Sequence, residues 1–597
     1  MFVEIASSYR KGFKKFAPYA PESDRKRWGS LPDDFRQEII QGGEKYINYA
    51  YPVLPATKYM EFCRTGNRSN YEALYFNRRR ILNTLILAEC AEGGGRFLDD
   101  IVNGLMAICE ESGWQIPAHN CYMWSQHYCL PDSTDPILDL FAAETGAQLA
   151  MAEYLLKEEL DEICPFITKR IDREITDRIL TPYLRNRFGW MGGWGRVNNW
   201  TPWITQNVLI ALTSRENITD NDIHEVILQA CRSLDYFVDG YGEDGCCDEG
   251  AGYYRAAGLC LFNAIEVLDA VMDNAFLDVY QKNKIKNIAS YIMNVHVDDR
   301  YYINFADCSP IAGRAGVREF LFAKRTGNED MMSWAAMDHK LDSARLQPMA
   351  CNLFYRLQGI FHEEEIASYD TSKSPVKPDI WYESAGLMIA RDDKFCLAVK
   401  AGCNNDSHNH NDTGSITLYR DNRPLLIDVG VETYSRKTFS PQRYEIWTMQ
   451  SCYHNVLTFN DAVQLPGAEH KAEVSNVNFS DSCVSITMEL AKAYPAGTVQ
   501  SYLRKVEFVK GQRITVTDTF TPQIKGTYLT LMTLRKTEWK DGVLFIEGGG
   551  QIIFCGAGKA KTEEIILTDA KLKREWGDKI YRTCFYPDGC QFSFSIY

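Results

Sequence analysis

The chain has 597 residues, 45% of them hydrophobic and 24% charged, with a formal net charge of −14. This length allows two or more domains with full cores. The acidic balance excludes nucleic acid as a general partner, because phosphate binding needs a positive surface, while a local basic cleft for an acidic substrate stays open.

The opening MFVEIASSYRKGFKKFAPYA has no apolar core of the kind a secretory signal needs. No uninterrupted apolar run reaches the roughly 18 residues of a membrane span, so no membrane partner is expected. Residues 1–368 read as helical. DPILDLFAAETGAQLAMAEYLLKEEL (135–160) repeats its apolar residues at three and four, and Asp135–Pro136 offers an N-cap and a first-turn proline. Helices are also expected over 219–240, 253–273 and 281–297, with aromatic and Gly-rich loops between them, as in a helical bundle or toroid.

Two loops of this half could carry chemistry. In GWMGGWGRVNNWTPWITQNVLIAL (189–212), Thr201–Pro202 reads as an N-cap and first-turn proline. Asn198, Asn199 and Trp200 then stand just before a helix start, where free N–H groups favour an anion and a tryptophan offers a face to a sugar. The same stretch also reads as a Gly-rich turn with core tryptophans. In DGYGEDGCCDEGAGYYRAAG (239–258), an acidic loop runs into Tyr253–Tyr254, and a tyrosine there can shuttle a proton or simply pack between helices. The adjacent Cys246–Cys247, an odd total of 19 cysteines and the lack of any CxxC pair lead us to expect reduced thiols in a cytoplasm. A secreted protein is the alternative if a signal has been removed.

YDTSKSPVKPD (369–379) reads as a linker. Beyond it, over 380–597, the period falls to two, in short β-branched and aromatic runs broken by Asp, Asn and Gly turns. This predicts an antiparallel β-sandwich. Within it, SHNHNDTGS (407–415) holds two of the ten histidines. In an extended segment, His408, His410 and Asp412 would point to one side. Asp428 follows across an Asp421–Asn422 turn, and His454 lies in another expected strand. Two imidazoles and a carboxylate from adjacent strands suit zinc or a similar ion, though histidines hydrogen-bonded within a β-domain would look the same.

Together these segments resemble the heparinase II/III superfamily of polysaccharide lyases. The residues that carry the resemblance are SHNHNDTGSITLYRDNRPLLIDVGVETY and HNVLTFNDAVQ, with NNW and EGAGYY upstream. The resemblance implies an incomplete (α/α) toroid followed by an antiparallel β-sandwich. It implies β-elimination on a uronic-acid glycan, with a glycosaminoglycan chain or oligosaccharide expected first and alginate or another uronate polymer as the alternative. It gives Asn199 the substrate carboxylate, Tyr253 the protonation of the leaving oxygen with removal of the C5 proton as a further alternative, and His408 the role of base or carboxylate partner. His410, Asp428 and His454 resemble ligands of a mainly structural divalent ion, with zinc expected first and manganese or calcium as alternatives. Asn198 and Tyr254 are alternatives to Asn199 and Tyr253. Trp200, Tyr434, His127, Trp124, Arg196 and Arg255 are further candidates for catalysis or substrate binding. This chain has Trp200 and Tyr254 where several relatives have histidine. A toroidal glycoside hydrolase using two of Glu243, Asp244, Asp248 and Glu249 is a rival, as is a non-catalytic glycan-binding protein. Homo-oligomerisation is left open.

Overall fold

The structure is a computed structural model that describes residues 1–122, 126–194 and 197–597, the side chains of Tyr122 and Gln126 excepted. The chain divides into two compact units. One comprises Met1–Gly240, Ala256–Ile285 and Ala315–Ser374; the other comprises Tyr241–Arg255, Lys286–Arg314 and Pro375–Tyr597. Tyr253 and the whole 286–314 segment therefore pack with the strands, although they lie far before residue 369.

The first unit is helical. Helices Ser69–Glu92, Leu140–Ile163, Trp200–Thr213 and Gly258–Val271 bury most of their residues. Helices enclosed this way must satisfy their polar side chains internally. Gln148 donates to Asn83 at 2.6 Å, Asn352 to Asn207 at 2.8 Å, and Gln358 to Asn263 at 2.9 Å.

Three helix starts differ from the sequence expectation. The helix expected from Asp135–Pro136 begins at Leu140, because the Asp139 carboxylate accepts from the N–H groups of Phe141 and Ala142. The helix expected from Thr201–Pro202 begins at Trp200 with Asn199 as its N-cap. Thr201 Oγ1 donates to the Trp190 carbonyl at 2.6 Å rather than capping, and Pro202 sits in the first turn, where its missing N–H costs little. The helix expected over 253–273 is two pieces, Ala251–Tyr254 and Gly258–Val271.

The second unit is built on antiparallel sheets. A five-stranded sheet runs in the order Arg423–Leu426, Ile416–Arg420, Phe395–Lys400, Leu387–Arg391, Ile380–Tyr382. An eight-stranded sheet has Cys483–Glu489, Ser501–Val509 and Arg513–Thr521 as successive neighbours. The two share one core, in which Leu397, Val399, Ile416 and Leu418 join Val484, Val506, Phe508, Val516 and Phe594. Strict alternation along Ser501–Val509 turns Tyr502, Arg504, Val506 and Phe508 inward. Arg504 is fully buried and pairs with Asp518 through two bonds of 2.7 and 2.8 Å. Its remaining nitrogen donates at 2.7 Å to the carbonyls of both Gly414 and Asn455, which tethers the two segments that flank the site.

All 19 cysteines are free thiols. Among the described residues, no helix is long and apolar enough to cross a membrane.

Candidate active site

The stretch 407–415 is not extended. Residues 405–415 form no strand, and His408 has φ +57°, in the left-handed region. The loop is held by side chains rather than a ladder. Gln464 Nε2 donates to the Thr413 carbonyl at 2.7 Å, Asn411 donates to the Gln464 carbonyl at 3.0 Å, and Thr413 donates to Asn404 at 2.8 Å. His454 is likewise outside any strand, just after the 3-10 turn Ser451–Tyr453. The hairpin ahead of Asp428 forms as expected, but its second strand ends at Leu426, so Asp428 lies just beyond the strand in which it was expected. Asp421 and Asn422 both take positive φ, and Arg420 faces Arg423 across the turn.

A carboxylate that the sequence reading did not single out brings the two histidines together. Asp307, in NFADCSP (304–310), is fully buried. Its Oδ2 lies 2.9 Å from His408 Nδ1 and accepts the Tyr434 hydroxyl at 3.1 Å. Its Oδ1 lies 3.0 Å from His410 Nε2 and accepts Arg443 Nη2 at 2.6 Å. Four donors on two oxygens define an ionised carboxylate. Burial opposes that charge, yet the hydrogen bonds from both histidines and the charge of Arg443 hold the Asp307 carboxyl far below the usual range.

The network fixes the protons. His408 carries its hydrogen on Nδ1 and leaves Nε2 as an acceptor, while His410 carries its hydrogen on Nε2 and leaves Nδ1. Tyr434 gives its proton to Asp307, so the Tyr253 hydroxyl donates to Tyr434. The Tyr253 ring stacks on His408 with centroids 4.6 Å apart. Burial pushes both phenols well above the ordinary tyrosine range, and the Asp307 charge adds to it, so both keep their protons at neutral pH. The result is two protonated phenols and one oriented imidazole in mutual contact.

His410, Asp428 and His454 are all buried, and their ligand atoms lie within 4.8 Å of one another, so this triad can hold a metal ion. The chemistry fits. Among the described residues His410 Nδ1 is buried without a hydrogen-bond partner, and its opposite nitrogen is oriented by a carboxylate, as metal-binding imidazoles usually are. His454 Nδ1 lies 3.0 Å from Asp428 Oδ2. Asn455 fixes the surroundings, donating to the carbonyls of Ile416 and Ile427 and accepting from the Met532 N–H. Asp412 is buried beside the triad but is not one of the three; burial raises its carboxyl above the ordinary range, against the opposing charge of Lys400.

Tyr254 is buried and donates to the Ala289 carbonyl at 2.9 Å, so Tyr253 is the one that meets His408. The Arg255 guanidinium donates to the carbonyls of Ala312, Gly313 and Arg314. Asp244 accepts from Ser384 and from the Cys246 N–H. Asn199 is buried in the helical unit, while Asn198 is exposed and its side-chain oxygen accepts the Trp200 N–H at 3.0 Å. His127 is exposed, with its ring edge against Phe62. Trp124 and Arg196 lie outside the described residues. Asp307 and Arg443 carry no motif; only the fold reveals them.

Residues 374–559 match the family model described as Heparinase II/III-like, C-terminal. No curated protein matches the chain in sequence. Among solved structures, a heparinase III is similar over 100% of this chain and 87% of its own, at 14% identity and a TM-score of 0.59. A mutant heparan sulfate lyase HepC from Pedobacter heparinus is similar over 100% and 87%, at 14% identity and a TM-score of 0.57. A mutant chondroitin AC lyase from Streptomyces coelicolor A3 is similar over 97% and 82%, at 10% identity and a TM-score of 0.50. The expected architecture is borne out: residues 374–559 carry a heparinase II/III-like C-terminal domain, and the whole chain has the fold of these lyases, a helical toroid followed by an antiparallel β-sandwich.

Proposed function

We propose that the chain is a polysaccharide lyase that cleaves uronate-containing glycans, of the glycosaminoglycan type, by β-elimination. The observation that carries this reading is the contact of Tyr253, Tyr434 and His408 around the ionised Asp307. The names of the similar structures, heparinase III, heparan sulfate lyase and chondroitin AC lyase, point to the same substrate class.

β-Elimination removes the proton on C5, α to the uronate carboxylate. The electron pair forms the C4–C5 double bond as the C4–oxygen bond breaks, and the leaving oxygen takes a proton. His408 Nε2 is the unprotonated nitrogen and takes the C5 proton. Tyr253, whose phenol burial keeps protonated, gives its proton to the leaving oxygen. The reaction also requires the uronate carboxylate to be polarised so that the carbanion can form.

Within this reading the triad ion is divalent and structural. Two imidazoles and one carboxylate favour zinc, because calcium prefers an all-oxygen set. Bound there, it would fix the loop that presents His408. Protein purified without chelators is expected to carry a stoichiometric divalent ion by elemental analysis. His410→Ala and Asp428→Asn should each weaken its retention by at least about tenfold. A protein that carries no ion, and whose melting temperature chelator does not move, refutes this assignment.

The lyase reading itself is tested by ultraviolet absorbance. Heparin, heparan sulfate, chondroitin sulfates, hyaluronan and alginate would each be offered as polymer and as short oligosaccharide. Absorbance from the new conjugated double bond is expected on at least one glycosaminoglycan. New reducing ends without absorbance would mean hydrolysis and would overturn the proposal.

A further inference from the structure

The helical unit holds a buried carboxylate paired with a partly exposed imidazole that the sequence reading did not assign. His119 closes the 3-10 turn Pro117–His119, and its Nδ1 lies 2.7 Å from Asp139 Oδ2. Asp139 is buried, and its Oδ1 accepts the N–H groups of Phe141 and Ala142 at 3.1 and 2.7 Å. Those backbone bonds hold the carboxylate in place, and a neutral imidazole that donates to it from Nδ1 leaves Nε2 as an acceptor. Among the described residues Nε2 makes no hydrogen bond, and the side chain keeps 12% of its surface exposed. The ring lies parallel to Phe141, with centroids 5.7 Å apart, and packs against Trp200 at 4.6 Å. Trp200 is itself partly exposed and directly follows Asn199.

A histidine needed only to fill space would not require a buried carboxylate to fix its tautomer. An oriented acceptor beside a partly exposed tryptophan matches the surface of a sugar ring, which presents hydroxyls at its edge and C–H groups on its face. We propose that His119 and Trp200 form a sugar-binding subsite of the helical unit. His119 Nε2 accepts a hydroxyl of the uronate glycan, Trp200 stacks on the ring, and Asp139 acts as the positioning residue. The identity of the ligand rests on the lyase reading above.

The test is calorimetric titration of hyaluronan, chondroitin sulfate and heparan sulfate hexasaccharides into the full chain carrying Tyr253→Phe, so that bound glycan is not turned over. Adding His119→Ala, or adding Trp200→Ala, is expected to raise Kd roughly tenfold, the loss of one hydrogen bond or one stacking contact. His119→Gln, which keeps an acceptor, and Trp200→Phe, which keeps a ring, should each recover part of that loss. With Tyr253 intact, His119→Ala should raise KM more than it lowers kcat.

Unchanged Kd in both alanine variants, at unchanged melting temperature, overturns the subsite. So does a lack of binding by all three hexasaccharides. If His119→Ala misfolds, the Trp200→Ala and Trp200→Phe pair decides, because the subsite requires binding to follow the ring. The two readings fail separately. Binding without an unsaturated product removes the lyase and leaves the subsite to the His119 titration. Product formation with Kd and KM indifferent to His119 and Trp200 removes the subsite alone.

Discussion

Tyr253→Phe is expected to lower turnover by roughly two to four orders of magnitude while the protein stays folded. The substitution deletes one hydroxyl and keeps the ring that stacks on His408 at 4.6 Å. What is lost is the one phenol that donates to another phenol rather than to a carboxylate. Tyr434 has its proton committed to Asp307, whereas the Tyr253 proton can be redirected to a leaving oxygen when Tyr253 turns from Tyr434. Tyr434→Phe should therefore cost less in kcat than Tyr253→Phe, although both remove the same atom from the same cluster. Steady-state kinetics on the polymer that the wild type degrades, with circular dichroism as the check on folding, measures both. Full activity in Tyr253→Phe would remove the proposed mechanism.

Asp307→Asn is expected to reduce both activity and stability. The carboxylate accepts from His408, His410, Tyr434 and Arg443. An amide offers one oxygen and turns its nitrogen toward donors. Arg443 is buried and would lose its only ion pair among the described residues. Breaking a buried pair by removing one partner costs about 3–5 kcal/mol. His408 would also lose the bond that fixes its proton on Nδ1, and turnover should fall with it.

The pH dependence has a definite sign. Asp307 has a folded-state pKa below its unfolded value of about 3.9, so its contribution is complete above that pH and is lost as the pH falls below it. The variant lacks that contribution at every pH. Its stability deficit relative to the wild type should therefore be largest near neutrality and shrink on acidification. Chemical denaturation between neutral and acidic pH reads this directly. An equal deficit at all pH values would mean that the loss is one of packing.

The period of the apolar residues, 3.6 before residue 369 and 2 after 379, was enough to give helices and then strands. The physical reason is that each period states which face of an element is buried, and burial is the largest favourable term in folding. Asp421–Asn422 marked its hairpin because both residues tolerate positive φ, as the turn requires. His410, Asp428 and His454 were legible because a hairpin and a neighbouring segment brought them together, and their residue types are those of a metal site.

The sequence could not give the loop conformation. Alternation predicts a strand wherever short polar and apolar residues trade places, but 405–415 is organised by the adjoining Asn404 and by Gln464 and Arg504, both distant in sequence. Helix starts were misplaced where two capping signals stood close together, because the choice between Asp135 and Asp139 depends on which carboxylate the first free N–H groups can reach. Asp307 sits 101 residues from His408 and has no motif, and Asp139 reaches His119 from another element. By itself the sequence determined the two architectures and the residues that could do chemistry. Only the tertiary structure decided which of them share a proton, because a hydrogen bond requires an approach near 3 Å that no local pattern encodes.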